Sequence, residues 1–190
     1  DKKGRIIVRK WTREEDVKLG FLQCANKLMN LGTNAYTEKN YDLALKYFKK
    51  IIEIIPQDVE GLKSIQITEE ALNMNLYLTS KALNNYQDCK MFLQKLIDNR
   101  TSNPLVYQYM SNILIEENSI DEAINFIERG RSEFPDNEDL INEEINIYLK
   151  LNKTTELISK TTDAIAKNPK KEIYYVVLGQ CYENNGAIDN

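Results

Sequence analysis

The chain has 190 residues and a formal net charge of −4, with 42% hydrophobic and 28% charged residues, the balance of an ordinary globular protein. It contains no histidine, which excludes Ser-His-Asp and Cys-His catalysis, histidine-ligated zinc and a histidine pH switch. Its four prolines and seven glycines are too few for the many turns of a β-sandwich or barrel, and they favour long helices.

Basic side chains are concentrated at the N-terminus. Residues 1–13 carry six of them against Asp1 alone, so the acidic excess lies in the rest of the chain. An acidic body is not expected to bind nucleic acid. Charges at a chain end are more commonly solvated than bound to a partner, so we interpret residues 1–12 as a solvated basic segment. The alternative is contact with an acidic surface or anionic lipid. Within this segment, only Ile6-Ile7-Val8 has a strand-like pattern.

The first predicted helix is long. Thr12-Arg13-Glu14-Glu15 has the form of a capping box, in which Thr12 and Glu15 exchange hydrogen bonds. The apolar residues that follow step by three and four, which predicts one helix over about 13–38. The apolar side chains in the early part of this stripe must be covered. Either the basic N-terminal segment with Trp11 folds back over them, or another protein chain packs on them. The stripe comprises Val17, Phe21, Cys24, Leu28, Leu31 and Ala35.

A second apolar stripe, from Ala44 to Ile55, predicts another helix that ends at Pro56. Two helices joined by so short a connection must lie antiparallel. The same helix pair recurs along the chain, since Thr101, Pro135 and Pro169 follow one another at 34-residue intervals. This spacing predicts an all-α chain built from repeated helix pairs.

The repeat resembles the tetratricopeptide repeat family, whose 34-residue unit is a helix A, a tight turn and a helix B. A repeat at about 25–58 carries the family's small residue on helix A, its small and aromatic residues on helix B, and its closing proline. The resemblance implies a right-handed superhelical solenoid of antiparallel helix pairs over residues 13–190. The matching residues of this repeat are Leu28, Leu31, Gly32, Ala44, Phe48 and Pro56.

Further repeats are predicted at about 104–137, 138–171 and 172–190. Glu144 and Thr161 depart from the family pattern at positions where larger apolar residues belong. The last repeat is incomplete, although Tyr175 stands at one of the family's large core positions. Leu178-Gly179 echoes Leu31-Gly32, and Gly179 is expected to serve close packing. Because the last repeat stops midway, we expect either further repeats after Asn190 or a partner that covers the open end.

The second repeat, at about 59–103, is longer than the others. Pro56 and Thr101 are 45 residues apart, which leaves an excess of 11 over the 34-residue repeat. Helix B is expected at about 86–99, so the excess belongs to the segment before it. A longer helix A or a short extra helix near 59–67 would absorb it.

The resemblance also implies that helix A lines an inner groove that holds a peptide or a partner's helix. In the first repeat the implied groove residues are Met29, Thr33 and Tyr36. Later repeats place a ladder of carboxamides there, and these groups both donate and accept hydrogen bonds, as an extended peptide backbone requires. The alternative is a solvated helix face in a chain with 21 Asn. The later candidates are Gln108, Asn112, Asn142, Asn146, Val176 and Gln180.

One use of the family is a clamp for the C-terminal carboxylates of heat-shock chaperones, which needs Lys and Asn on the first helix A and a basic pair on the third. Met29 and Thr33 occupy the first two places, and Leu105 and Tyr109 the others. We therefore expect no tight binding of such carboxylates. Tyr109 and Tyr174 have no evident core role and are candidates for an interface.

No catalytic group, metal site or cofactor motif is predicted. Cys24, Cys89 and Cys181 lack metal-ligand spacing and are expected to be free core thiols. Unpaired cysteines favour a reducing compartment, although a removed leader would be compatible with export. No apolar run is long enough to span a membrane.

The leading hypothesis is a non-catalytic scaffold that binds a protein or peptide in the groove. The alternative is a self-assembling module that forms a homodimer through the first helix or the open C-terminal face. A regulatory part of a larger enzyme is a third hypothesis.

Overall fold

The structure is a computed structural model that describes residues 14–59 and 61–184. Within those ranges the chain forms nine α-helices and one 3₁₀ turn at Ile55–Gln57, with no strand, which confirms the all-α prediction. It divides into two compact units, Asp1–Leu96 and Ile97–Asn190, which are described separately. The helices are α1 (Glu14–Thr37), α2 (Tyr41–Ile54), α3 (Glu69–Ala82), α4 (Tyr86–Asp98), α5 (Leu105–Glu116), α6 (Ile120–Glu133), α7 (Glu138–Lys150), α8 (Thr154–Lys167) and α9 (Glu172–Asn184).

In the first compact unit, α1 and α2 form an antiparallel pair at a close helix–helix contact. Gly32 of α1 is buried beneath the ring of Phe48 of α2. A Cβ atom added to Gly32 would lie 2.5 Å from a carbon of that ring, so only glycine fits without movement. Ala25 and Ala35 of α1 are also buried, and α2 then packs on α3. Small residues on helix A therefore set the distance between the paired helices.

The same left-handed turn joins helix A to helix B in four successive helix pairs. Its central residue has a positive φ at Lys39 (61°), Asn84 (54°), Asn118 (62°) and Asn152 (53°). Asparagine tolerates this conformation better than most residues, which accounts for part of the chain's Asn content. In each turn the next residue's amide donates to the carbonyl five residues earlier. These bonds are Asn40 to Ala35 (2.8 Å), Asn85 to Ser80 (2.9 Å), Ser119 to Leu114 (2.8 Å) and Lys153 to Tyr148 (3.1 Å).

The excess of the second repeat lies between α2 and α3 and forms neither of the two predicted structures. Helix A is not lengthened, since α3 begins at Glu69, and the described residues near 59–67 contain no helix. Asp58 holds the segment by accepting bonds from Ser64 N (2.6 Å), Ser64 Oγ (2.7 Å) and Ile65 N (2.9 Å). Burial alone would raise the pKa of Asp58, but these hydrogen bonds lower it overall. The described residues of this segment form an irregular loop whose start is held by Asp58.

In the second compact unit, α5 to α9 pack consecutively, each helix on the next. One residue near the start of each helix A, at 34-residue spacing, is buried: Val106, Leu140 and Tyr174. Gly130 of α6 makes the closest approach to α5, because a Cβ there would lie 2.8 Å from both Cβ and Cγ of Tyr107.

Glu144, which departs from the repeat pattern, is buried and belongs to an ionic cluster. Its carboxylate pairs with Arg131 Nε of α6 (3.1 Å) and Lys160 Nζ of α8 (2.7 Å). Lys160 also pairs with Glu128 (3.1 Å), which accepts a bond from the hydroxyl of Tyr148 (3.1 Å). Burial alone would lower the pKa of Lys160, but its bonds to Glu144 and Glu128 raise it overall. The cluster thus ties three successive helices together.

Thr161, the second departure from the pattern, is also buried. Its hydroxyl has no hydrogen-bond partner in the described part of the chain. A buried hydroxyl without a partner is unfavourable, so this position lowers stability relative to an apolar residue of the same shape.

Two of the three cysteines are core thiols as predicted, and one is not. Cys89 and Cys181 are buried, and burial raises the pKa of the Cys89 thiol to about 11. Cys24 is exposed, because α2 ends at Ile54 and does not extend over the early part of α1. The predicted capping box at Thr12, the strand-like Ile6-Ile7-Val8 and Trp11 lie outside the described residues. No helix among those described combines the length and apolar content needed to cross a bilayer.

Candidate peptide-binding face

In the second compact unit the A helices lie side by side along the face predicted to bind a peptide. Gln108 Nε2 of α5 donates to Glu143 Oε2 of α7 at 3.1 Å. The hydroxyl of Tyr174 on α9 donates to Asn142 Oδ1 of α7 at 2.9 Å. Gln108 and Asn142, both half-buried, therefore bond to neighbouring helices, and their amides are partly used within the fold.

The other three predicted amides are exposed. Asn112 lies one helical turn after Gln108, and Asn146 lies one turn after Asn142, so both continue the face defined by the bonded residues. Gln180 is exposed on α9. The structure thus divides the predicted ladder into two amides that connect helices and three that face solvent.

Two of these A helices, α7 and α9, also expose large apolar side chains, of which only Val176 was predicted as a groove residue. Ile173 and Val176 are 54% and 53% exposed, and they share a helix face with Gln180 at spacings of three and four. Leu149, also exposed, lies one turn after Asn146. The signal for Leu149 and Ile173 was present as large apolar residues at the helical spacing of the groove positions. We call the exposed residues Asn112, Asn146, Leu149, Ile173, Val176 and Gln180 the A face.

The candidate residues of the first compact unit have local partners. Met29 is half-buried, with its sulfur 3.6 Å from Asn75 Nδ2 of α3. Thr33 is exposed and donates its hydroxyl to the carbonyl of Met29 at 3.0 Å. Tyr36 is half-buried with its ring packed edgewise on Tyr41, centroids 5.3 Å apart. The spacing of these three residues places them on one side of α1. All three side chains already contact other residues of the chain, whereas the A-face side chains are exposed.

The burial of the two tyrosines at the start of α9 is the reverse of what the sequence predicts. Tyr174, predicted as an interface candidate, is buried, because it packs on the helices that precede α9. Tyr175, predicted to fill a core position, is 48% exposed and donates to the carbonyl of Pro169 at 3.1 Å. Gly179, expected at a close contact, is exposed, and a Cβ added there would meet no heavy atom of the described residues within 4 Å.

A separate apolar groove lies in the first compact unit, at the early part of α1. It has a volume of about 400 Å³ and is lined by Val17, Gly20, Phe21, Cys24 and Ile54. The end of α2 leaves this stretch of α1 without a paired helix. The basic N-terminal segment, which was predicted as one possible cover for this groove, lies outside the described residues.

Comparisons with known proteins agree with this architecture. Residues 28–58 match the family described as "Tetratricopeptide repeat". A crystal structure of MamA protein is 17% identical, with a TM-score of 0.64 over 88% of this chain and 85% of that one. A "MamA 41-end" structure from Desulfovibrio magneticus RS-1 is 14% identical, with a TM-score of 0.60 over 87% and 88%. YrrB, titled "a TPR protein with an unusual peptide-binding site", is 12% identical, with a TM-score of 0.57 over 84% and 77%.

No curated protein matches the chain in sequence. The structural likenesses, at these identities, establish the fold, and the match at 28–58 identifies a tetratricopeptide repeat where the sequence pattern placed its first one.

Proposed function

We propose that this chain, which carries a tetratricopeptide repeat at residues 28–58 and has the fold of such proteins, is a non-catalytic scaffold that binds an extended peptide on its A face. The observation that carries the proposal is the mixture of exposed carboxamides and exposed apolar side chains on three neighbouring A helices. Soluble surfaces seldom expose several large apolar side chains together unless they bind something. The described residues contain no group of three or more Cys, Asp and Glu placed to hold a metal.

The chemistry of the A face suits a peptide backbone more than a charged ligand. Asn112, Asn146 and Gln180 each offer donors and acceptors, so they can pair with successive peptide N–H and C=O groups. Leu149, Ile173 and Val176 offer apolar surface for the peptide's side chains. Backbone pairing gives affinity with little sequence selection, while the apolar contacts select for apolar side chains at intervals.

A double substitution tests the A face. We expect Asn112→Ala with Asn146→Ala to weaken peptide binding about tenfold, because two hydrogen-bonding side chains lost at about 0.5–1.5 kcal/mol each approach the 1.4 kcal/mol of a tenfold change. The probe is a peptide selected on the wild-type protein from a phage library of random peptides, and its affinity is measured by isothermal titration calorimetry.

Asn125→Ala is the matched control, since Asn125 is an exposed asparagine on α6, a helix B. It should leave the affinity unchanged. Failure of the library to yield any saturable binder, or equal affinities for the double variant and the wild type, would contradict the A face as a peptide site.

We propose self-association as the second candidate function, because the apolar groove beside Phe21 is not covered by any of the residues that the structure describes. In this case the protein forms a homodimer, and Phe21→Glu converts it to a monomer by placing a charge in the interface. Size-exclusion chromatography with light scattering measures the change. A wild-type protein that is monomeric at all concentrations would exclude this function and leave the scaffold hypothesis intact.

A further inference from the structure

On the basis of the proposed function, we infer that the peptide bound on the A face carries lysine or arginine beside its apolar residues. The side chains of the A face are themselves neutral, so they do not select the charge of a ligand. The side chains around them do, because five carboxylates surround the A face and share the sides of its three helices. We call these carboxylates the acidic border: Glu116 of α5, Asp139 and Glu143 of α7, and Glu172 and Glu183 of α9.

Helical spacing places each carboxylate of the acidic border on the same side as a residue of the A face. Glu116 lies one turn after Asn112, and Glu143 lies one turn before Asn146, so each pair is adjacent on its helix. The same spacing holds on α9 and at the start of α7. The remaining pairs are Glu172 with Val176, Glu183 with Gln180, and Asp139 two turns before Asn146.

The A helices of the second compact unit are far more acidic than its B helices. Over their described lengths, α5 carries one carboxylate, α7 four and α9 two, against Lys150 as their one cation. In contrast, α6 and α8 together carry six carboxylates and four cations. Glu138 pairs with Lys171, and Glu144 belongs to the ionic cluster. The other five, which form the acidic border, pair with no cation among the residues that the structure describes.

Glu143 shows that this charge is built into the surface between two helices. It is half-buried, and its Oε2 accepts a bond from Gln108 Nε2 at 3.1 Å, which holds the carboxylate in place. The bond comes from a neutral amide, so the negative charge is not compensated. A carboxylate partly removed from water interacts more strongly with a cation than a fully exposed one does. Glu143 is therefore the central counter-charge for a basic side chain on the A face.

Lysine and arginine match this surface with both parts of their side chains. Their alkyl stems can pack on exposed apolar residues while their cationic heads reach the acidic border. Leu149, Gln180 and Glu183 are among the residues that line one pocket, so apolar surface, a carboxamide and a carboxylate are adjacent there. Acidic side chains in the peptide would be repelled by the same carboxylates. The occupant that fits is thus an extended peptide with basic and apolar residues close together.

The phage library of random peptides, selected on the wild-type protein, tests this charge selection. We expect the selected peptides to contain more Lys and Arg than the unselected library, and less Asp and Glu. Their affinity in isothermal titration calorimetry should fall several-fold between about 0.1 M and about 1 M salt, because the screening length shortens from about 10 Å to about 3 Å. Replacing Lys and Arg by Gln in a selected peptide should also weaken its binding.

One variant combines Glu116→Gln, Glu143→Gln and Glu172→Gln, which removes one carboxylate from each A helix. We expect the affinity for a selected peptide to fall about tenfold at about 0.1 M salt, since three charge pairs are lost. Glutamine keeps the size of the side chain and still offers an oxygen to Gln108. A thermal unfolding curve followed by circular dichroism checks that this variant is folded.

The matched control combines Glu122→Gln, Glu133→Gln and Glu156→Gln, three exposed residues of helices B. It changes the net charge by the same amount and should leave the affinity within about twofold. Equal affinities for the two variants, or selected peptides without an excess of Lys and Arg, would overturn the charge selection and leave the A face as a peptide site. A library that yields no saturable binder would overturn the proposed function and the charge selection together.

Discussion

Gly130→Ala is expected to destabilise the second compact unit by up to about 2 kcal/mol, although alanine is the better helix former. The added Cβ would lie 2.8 Å from Cβ and Cγ of Tyr107 and 3.2 Å from a methyl of Leu140. The Cβ of Tyr107 is fixed to the backbone of α5, so relief requires α5 and α6 to separate. Overpacking of this kind costs about 1–3 kcal/mol, and alanine's propensity returns about 1 kcal/mol.

Gly179→Ala is the matched control, because it adds the same methyl group to a helix of the same compact unit. Within the part of the chain that the structure describes, a Cβ at Gly179 meets no heavy atom within 4 Å. Only the helix propensity is then expected to act, and stability should rise by about 1 kcal/mol. Urea unfolding followed by circular dichroism measures both variants. If both substitutions raised the free energy of unfolding, the close approach of α5 and α6 at Gly130 would be wrong.

Glu144→Ala is expected to cost about 3 kcal/mol or more of the free energy of unfolding, the typical result of removing one partner from a buried ionic cluster. The side chain of Glu144 is 6% exposed, and its loss deprives both Arg131 and Lys160 of their buried counter-charge. Thermal and urea unfolding measure the loss. The cost comes mainly from the cations left behind rather than from the strength of the pairs.

Two further variants separate this explanation from a simple loss of packing. Glu128→Ala removes an exposed carboxylate from Lys160 and should cost no more than about 1 kcal/mol. Replacing the cluster by Arg131→Met, Glu144→Leu and Lys160→Met should recover most of the stability that Glu144→Ala loses, because no buried charge remains. Equal costs for Glu128→Ala and Glu144→Ala would show that the cluster is not buried in solution.

The helix pairs could be predicted from the sequence because their contacts impose residue types that recur. Gly32 must be small to lie under Phe48, and Pro56 follows the end of α2. Such requirements leave a 34-residue spacing that a single sequence reveals. The loop at 58–68 leaves no comparable pattern, since a carboxylate that holds two backbone amides has no fixed period. Neither predicted structure for it was therefore correct.

Burial on a given side of a helix was harder to predict, because it depends on which neighbour is present. Tyr174 and Tyr175 are adjacent and chemically identical, yet one packs on the preceding helices and the other is exposed. Cys24 continues an apolar stripe whose partner helix ends too early to cover it. The sequence shows that a stripe exists, and only the packed structure shows how far its cover extends.

For the candidate site, the sequence does not reveal which of the predicted amides are bonded within the fold and which are exposed. Helical spacing alone places Asn112 and Asn146 on one face with Gln108 and Asn142. It does not reveal that Glu143 and Tyr174 bond to the latter two, because these bonds join residues about one repeat apart in sequence. The amides of Gln108 and Asn142 are used in these bonds, whereas the side chains of the A face remain exposed to a ligand.

The irregular loop after α2 has a consequence for how this chain can change in length. Its ends are held by Asp58 on one side and by Thr68 on the other, whose hydroxyl accepts a bond from the amide of Ala71. Between them Gly61 is exposed, has a φ of 81°, and has no heavy atom from residues 14–59 or 61–184 within 4 Å of its Cβ position. Residues added at Gly61 would extend into solvent while both helix pairs keep their contacts. Evolutionary insertions, or an engineered reporter, would thus be tolerated at this junction between repeats, whereas the tight turns within each pair leave no such room.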